Sequence, residues 1–155
     1  MMPQLARASD AAELADLDAR CFDAAERWTQ PLWQAELEAA DRCVLVQRDH
    51  SANHGGLVAA ASFQNLFETT DLLRVMVAST HRGLGLAQQL LRAGIEWSLG
   101  RGAERMLLEV RHDNTAAINL YERLGFTAID RRANYYGPGL DAVVMQTVLR
   151  TGAPR

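Results

Sequence analysis

Lysine is absent from this sequence, and all 16 residues of the Lys and Arg types are arginines. A Walker-type phosphate loop places a lysine ammonium on the bound phosphates, and Schiff-base catalysis uses a lysine amine as its nucleophile. Both classes of chemistry are therefore excluded for this chain.

Cysteine and long apolar runs are scarce as well. Cys21 and Cys43 form no C-x-x-C pair, so we expect buried free thiols and neither a disulfide framework nor a zinc site. His50 and His54 lie in a turn-like segment with no third ligand beside them, so no metal is expected. No stretch is long enough to cross a bilayer, and the opening segment MMPQLARASD has no apolar signal core. We expect a cytoplasmic protein without a membrane contact.

The size and charge of the chain indicate an ordinary globular protein. Its 155 residues are 48% hydrophobic and 23% charged, which suits one domain with a sizeable core. We expect this domain to occupy residues 1–150, with a short tail at 151–155, and the protein to be a monomer. A formal net charge of -3 argues against a nucleic-acid partner.

Apolar periodicity and turn residues predict alternating helices and strands. A first helix begins near Ala11, where Asp10 and Glu13 resemble a capping box. The other predicted helices span 31–40, 86–100 and the segment after Asn114, and the predicted strands are 43–48, 57–67, 71–77, 104–111, 126–132 and 141–149. The helix between strands 71–77 and 104–111 implies one parallel pair.

The segment STHRGLGLAQQLL, residues 79–91, places two glycines one residue apart in front of an apolar helix pattern. The dinucleotide fingerprint fails here, because Gln88 stands at its third glycine position. The pattern R-x-x-G-x-A is met by Arg82, Gly85 and Ala87, and free N–H groups at a helix start suit a pyrophosphate. A plain glycine-rich turn accounts for the same residues.

Two later segments extend this pattern: LLEVRHDNTAAINLYERLGF, at 107–126, and RRANYYGPGLDAVVM, at 131–145. With the glycine loop they resemble the GCN5-related N-acetyltransferase (GNAT) superfamily, and within it the bacterial ribosomal-protein-alanine N-acetyltransferase family. That family has E-V-R-x-x-N, A-A-I-x-L-Y-x-x-L-G-F and N-Y-Y in this order. The resemblance runs from 72 to 148, whereas the first third is similar more loosely and Ala78 and Ser79 replace a common Asp-Pro.

The resemblance implies a single mixed α/β GNAT domain. Its central, mostly antiparallel sheet would have one parallel pair splayed around acetyl-CoA, with about four flanking helices. Acetyl-CoA is the implied cosubstrate, without a metal. The residues implied to bind it are Val75, Met76 and Val77 through main-chain groups, the loop residues Arg82, Gly83, Leu84, Gly85, Leu86 and Ala87, and Asn114, which is also a sound helix cap.

Glu109 and Tyr121 are the implied general base and general acid. A carboxylate in an apolar strand is costly unless it is exposed, paired or functional, and an ion pair of Glu109 with Arg111 or Arg105 is the alternative. Tyr121 falls on the apolar stripe of its helix, which favours a core position. Both roles are compatible if the ring packs under Phe126 while the hydroxyl reaches the site.

The acceptor is expected between the N-Y-Y loop, with Tyr135 and Tyr136, and Trp28 on the opposite wall; turn aromatics without a function are the alternative. The resemblance implies acetylation of the N-terminal alanine of the eighteenth small-subunit ribosomal protein, by direct attack in a ternary complex. The alternatives are a GNAT enzyme acting on lysine side chains or a small amine, and a non-catalytic acetyl-CoA-binding module.

Overall fold

Seven strands and four helices form the regular structure of residues 1–51 and 56–149, the residues that this computed structural model describes. The strands are β1 Gln4–Leu5, β2 Arg42–Arg48, β3 Leu57–Leu66, β4 Thr69–Val77, β5 Arg105–Arg111, β6 Thr127–Arg132 and β7 Ala142–Val148. The helices are α1 Ala11–Cys21, α2 Gln30–Glu38, α3 Leu86–Gly100 and α4 Thr115–Arg123, with short 3-10 turns at Ala8–Asp10 and Ser79–His81. The predicted tail at 151–155 and His54 lie outside the described residues.

The strands form one sheet in the order β1-β2-β3-β4-β5-β7-β6. The pairs β1 with β2, β2 with β3, β5 with β7, and β6 with β7 are antiparallel. Strands β4 and β5 are parallel, and Thr69–Asp71 pairs with Arg105–Leu107. The expected mixed α/β fold, with a mostly antiparallel sheet, one parallel pair and four helices, is confirmed.

Contacts divide the described residues into two units. We call the described part of 1–64 together with 73–97 the N-terminal unit, and 65–72 together with 98–149 the C-terminal unit. Fully buried apolar side chains make up the core of each. Those of the N-terminal unit include Leu14, Leu17, Trp33, Phe63, Leu90 and Leu91, and those of the C-terminal unit include Met106, Phe126 and Met145.

The predicted capping box at the start of α1 is wrong. Asp10 has a helical backbone conformation, with φ -85° and ψ -3°, because the chain enters α1 from a 3-10 turn. A capping side chain requires an extended residue at this position. The carboxylate of Asp10 instead accepts the N–H of Arg7 at 2.8 Å and forms an ion pair with Arg48.

The end of α4 follows the prediction. Gly125 adopts a left-handed φ of +94°, which lets the chain reverse direction after the helix. The N–H of Phe126 then donates to the carbonyl of Tyr121 at 3.0 Å, and the two ring centroids lie 5.9 Å apart. At the other end, the side-chain oxygen of Asn114 accepts the N–H of Ala117 at 3.2 Å, as expected of a helix cap.

Helix α3 approaches β3 closely at Gly94. A Cβ atom at this position would overlap the ring of Phe63, which is fully buried. The absence of a side chain at Gly94 therefore sets how near the helix and the strand can lie.

We expect Gly94→Ala to lower the free energy of unfolding by about 1–3 kcal/mol, because the buried ring has no room to yield. Gly100→Ala is the matched control, since an added Cβ there meets nothing within 4 Å. Urea denaturation of both variants measures the difference. Equal stability of the two variants would contradict the proposed close approach.

Candidate active site

Glu109 lies on the exposed face of β5. The alternate residues Met106, Leu108 and Val110 are buried, so the glutamate side chain points to the opposite face and avoids the cost of burial. Its carboxylate lies 3.8 Å from the guanidinium of Arg132.

The two arginines considered as alternative partners of Glu109 have carboxylates of their own. Arg111 binds Asp113 at 2.9 Å, and Arg105 lies 3.6 Å from Glu68. Among the ion pairs of the C-terminal unit, Glu109 is instead paired with Arg132 of β6.

A second carboxylate, Asp71, shares the sheet face of Glu109. Asp71 is the β4 partner of Leu107 in the parallel register, and Leu107 and Glu109 are two residues apart on β5. Burial raises the pKa of the Asp71 carboxyl above its ordinary value, and the negative charge of Glu109 adds to the rise. No local pattern in the sequence indicates this acidic pair, because only the register of β4 against β5 brings the two carboxylates together.

Tyr121 is a buried phenol that keeps its proton. Its side chain is 6% exposed and packs against Phe126. Burial, with a smaller contribution from Tyr136, raises the pKa of Tyr121 to about 12. At neutral pH its hydroxyl is therefore a proton donor and not a base.

The predicted N-Y-Y loop, residues 133–140, is held by two polar side chains. Asp141 accepts the N–H of Asn134 at 2.9 Å, and the side-chain oxygen of Asn134 accepts the N–H of Gly139 at 2.7 Å. Asn134 adopts a left-handed φ of +57°, which asparagine tolerates better than most residues. The loop presents Tyr135 and Tyr136 with their rings edge to face, 5.0 Å between centroids.

Arg132 links Glu109 to the tyrosine loop within the C-terminal unit, and the loop influences Tyr121 through its charge distribution. Arg132 lies 3.8 Å from Glu109, and its guanidinium lies 5.7 Å from the ring centroid of Tyr135. Tyr135 packs on Tyr136, which in turn interacts electrostatically with Tyr121. Four of the residues predicted from the sequence are thus brought together. Arg132 is the link that the sequence analysis did not select.

The N-terminal unit contains the predicted phosphate loop, Arg82–Ala87. Gly83 and Gly85 both have φ +79°, and a Cβ at either would meet nothing within 4 Å, so the loop backbone is open to a ligand. Helix α3 begins at Leu86, and its first bond runs from the N–H of Gln89 to the carbonyl of Gly85 at 3.1 Å. The N–H groups of the first turn have no acceptor within the helix. This arrangement fits a diphosphate group.

The side chains of the other predicted loop residues are exposed to different extents. Leu84 is exposed and Ala87 is half-buried, whereas Leu86 is buried and fixes the start of the helix to the core. At Leu86, any group that this loop can offer to a ligand therefore belongs to the backbone.

Strand β4 has main-chain groups that face away from β3. The N–H of Ala78 donates to the carbonyl of Val58 on β3 at 2.7 Å. Successive N–H groups of a strand point to opposite edges, so the N–H of Val77 points away from β3. The carbonyl of Val77 accepts from Nε of Arg82 at 3.2 Å and from the thiol of Cys21 at 3.5 Å.

Val75 and Met76, the other two residues predicted on β4, follow the same alternation of main-chain directions along the strand. Met76 is buried, and the N–H of Val75 shares the direction of the N–H of Val77. Val75 and Val77 can thus offer main-chain groups to a ligand while Met76 packs into the core.

Trp28 lies in the segment between α1 and α2. Its ring packs on Trp33 at 4.9 Å between centroids, and its N–H donates to Asp18 at 3.0 Å. The structure thus places Trp28, Val75–Val77 and Arg82–Ala87 in the N-terminal unit. Glu109, Asn114, Tyr121, Tyr135 and Tyr136 belong to the C-terminal unit.

Residues 1–51 and 56–149 contain no group of three or more His, Cys, Asp or Glu side chains that could hold a metal ion. Among the helices of the same described ranges, none combines the length and the apolar character that a membrane crossing requires.

The family model described as acetyltransferase (GNAT) family matches residues 11–126, which is more than half of the chain. A ribosomal protein bS18-alanine N-acetyltransferase of Haemophilus ducreyi is 36% identical over 97 residues, covering 60% of this chain and 67% of that protein. The N-alpha-acetyltransferase RimI of Mycobacterium tuberculosis is 31% identical over 143 residues, covering 89% and 86% respectively. The chain belongs to the RimI family of GNAT acetyltransferases.

A solved structure shares the GNAT fold of this RimI-family chain. The ribosomal-protein-S18-alanine N-acetyltransferase from Escherichia coli matches with a TM-score of 0.83 at 24% identity, covering 99% of this chain and 97% of that one. Other curated relatives match over a shorter part, and the chain spans only 24%, 44% and 23% of the length of three of them. The family and the single GNAT fold predicted from the sequence are confirmed.

The acidic pair of the C-terminal unit makes stability depend on pH. The pKa of Asp71 is higher in the folded state than its ordinary value of 3.8, so folding favours the protonated carboxyl. The free energy of unfolding of the wild type therefore decreases as the pH rises from about 3.8 through the folded pKa. We therefore expect Asp71→Asn to be more stable than the wild type near pH 7, with a gain that shrinks towards about pH 3.5.

Urea denaturation across this pH range measures the gain of Asp71→Asn. Asp16→Asn, which replaces an exposed carboxylate on α1, is the control and is expected to give a small, constant difference. A gain for Asp71→Asn that increases towards acid pH would contradict the raised pKa of Asp71 in the folded state.

Proposed function

We propose that this protein transfers the acetyl group of acetyl-CoA to the α-amino group of a protein N-terminus. The observation that carries the proposal is that the C-terminal unit contains an exposed carboxylate, Glu109, linked through Arg132 to the tyrosine loop, and a buried phenol, Tyr121, that stays protonated. Membership of the RimI family supports the same reaction.

Acetyl-CoA is proposed to bind through main-chain groups of the N-terminal unit. The N–H groups of Arg82–Ala87 would hold its diphosphate, and Val75–Val77 would hold its pantetheine arm. The N–H of Val77, which points away from β3, would donate to the thioester oxygen. A preorganised donor at a developing oxyanion contributes about 3 kcal/mol to catalysis. Asn114, the cap of α4, is proposed as a further contact to the coenzyme.

Glu109 is the proposed general base, acting on the amine directly or through a water. A peptide α-amine titrates about 2.5 units below a lysine side chain, so the removal of its proton is easier by about 3.4 kcal/mol. One exposed carboxylate on a strand is sufficient for such a substrate, which favours an α-amine over a lysine side chain as the acceptor.

Tyr121 is the proposed general acid for the leaving thiolate. Complete transfer of a proton from a phenol of pKa about 12 to a thiolate of pKa about 8.5 is uphill by about 5 kcal/mol. Tyr121 would therefore donate to the sulfur while the C–S bond breaks and recover a proton afterwards. In the overall reaction, the proton lost by the amine nitrogen ends on the thiol of coenzyme A.

Direct attack by the amine is proposed, without an acetylated cysteine. Burial raises the pKa of the Cys21 thiol, which keeps it protonated at neutral pH, and Cys43 is buried in β2. Neither thiol is thus activated as a nucleophile.

The proposed acceptor is the N-terminal alanine of ribosomal protein S18, and its proposed contacts are Tyr135 and Tyr136 of the C-terminal unit and Trp28 of the N-terminal unit. The names of the relatives from Haemophilus ducreyi and Escherichia coli support this choice. We propose that the reaction takes place in the cytoplasm, with the enzyme as a monomer and without nucleic acid or membrane. The domain would comprise residues 1–150.

Acceptor choice is tested with two peptides of one sequence. We expect rapid acetylation of a peptide that begins with the alanine terminus of S18, and acetylation at least about 100-fold slower when the same peptide is N-blocked and contains a lysine. Mass spectrometry locates the acetyl group. Preferred modification of the lysine would support the side-chain alternative, and binding of acetyl-CoA without any transfer would support the non-catalytic one.

The role of Glu109 is tested by its pH profile. We expect Glu109→Gln to lower kcat at least about 100-fold near pH 7 and less at about pH 9, where the α-amine has lost its own proton. Glu122→Gln, at an exposed position on α4, is the control and should retain full activity. An equal loss across the whole range would remove Glu109 from the role of base.

A further inference from the structure

Asp18 is a carboxylate buried without any exposure in the N-terminal unit. It lies on α1 and accepts two N–H groups, from the backbone of Trp28 at 3.0 Å and from the indole of Trp33 at 3.2 Å. A buried carboxylate requires a cation as well as hydrogen-bond donors. That cation is Arg74, whose Nη1 lies 2.9 Å from the carboxylate.

Arg74 comes from β4 and contacts four groups at once. Its second terminal nitrogen, Nη2, donates to the carbonyl of Glu26 at 2.8 Å. The centre of its guanidinium lies 3.9 Å from the ring centroid of Phe22 and 4.5 Å from that of Trp28. Nη1 donates to both carboxylate oxygens of Asp18, at 2.9 and 3.1 Å, so the two terminal nitrogens of the planar guanidinium bind two different groups while its centre lies over both rings.

These contacts converge on one segment, residues 22–29, which joins α1 to α2. The segment begins with Phe22 and contains both Glu26 and Trp28, the three residues that Arg74 touches along it. Most of its other residues are exposed polar or small side chains, which contribute little to a core. The ordering of this segment therefore depends strongly on Arg74 and Asp18.

We infer that Arg74 is a positioning residue for the acceptor, which fixes segment 22–29 and thereby Trp28. The inference rests on the proposed function, since Trp28 is the proposed wall of the acceptor site. Affinity for the acceptor peptide should then depend on the guanidinium of Arg74. The main-chain groups of β4 that are proposed to hold acetyl-CoA remain in place when only the side chain changes.

Arg74→Lys tests the inference, because lysine keeps the charge beside Asp18 and loses the planar fork. We expect the KM for the acceptor peptide to rise about tenfold or more, while kcat and the Kd for acetyl-CoA change by less than about twofold. Arg42→Lys is the matched control. Arg42 pairs with Glu36 and Asp41 in the same unit, and its replacement should leave all three constants unchanged.

Trypsin gives a readout that does not depend on activity. The bond after Arg27 lies inside the segment, and we expect Arg74→Lys to increase its cleavage rate about tenfold, with Arg42→Lys unchanged. Faster cleavage together with a raised peptide KM supports the inference. Faster cleavage with an unchanged KM, an unchanged cleavage rate, or an equal loss of acetyl-CoA affinity would overturn it.

Two further outcomes remain distinguishable. If the wild type acetylates no peptide, the proposed function fails, whereas trypsin still reports whether Arg74 holds the segment. If Arg74→Lys does not fold, Phe22→Leu removes one of the two aromatic contacts and keeps the ion pair. We expect Phe22→Leu to increase the cleavage rate and the peptide KM, each by a smaller factor than is expected for Arg74→Lys. If neither quantity increases, the inference is wrong.

Discussion

Ionisable side chains that pack against an apolar core must be exposed, paired or kept neutral, and this constraint applies to each residue of the candidate site and of its surroundings. Glu109 is exposed and lies near Arg132. Asp71 is partly buried beside Glu109 and binds its proton more tightly. Tyr121 is buried and stays neutral. Asp18 is fully buried and is paired with Arg74. These four residues thus meet the same constraint in four different ways.

The same constraint separates residues that can do chemistry from residues that support it. A base must exchange its proton with a substrate, which suits an exposed carboxylate such as Glu109. Asp18 is fully buried and bound to Arg74, Trp28 and Trp33, so it serves to order the chain around it. An acid that donates only in the transition state can have a high pKa, as Tyr121 has. Exposure and pairing therefore support the roles proposed for these residues, which residue type alone leaves open.

Local signals in the sequence were sufficient for most of the fold. Asn114 and Gly125 mark the two ends of α4, and both behave as their residue types predict. The capping box at Asp10 failed, because a 3-10 turn before α1 changes the backbone conformation of that residue. A two-residue strand such as β1 is too short to show any periodicity.

The candidate site was only partly predictable. Glu109 and Tyr121 came from a family resemblance carried by short motifs, whereas their neighbours depend on contacts between distant parts of the chain. Asp71 meets Glu109 through the register of two parallel strands, and Arg74 meets Asp18 across 56 residues of sequence. Such pairs leave no periodic pattern, since each partner on its own resembles an ordinary charged residue.

The ion pairs of the described residues have a chemical property in common: every cation in them is a guanidinium or an imidazole. Thioesters acylate side-chain amines that they meet by chance, and they do so without a catalyst. A protein that handles a thioester throughout its life would lose amine-based ion pairs one by one to this slow damage. None of these ion pairs contains a primary amine, so uncatalysed acylation of amines by the acyl donor would leave them intact.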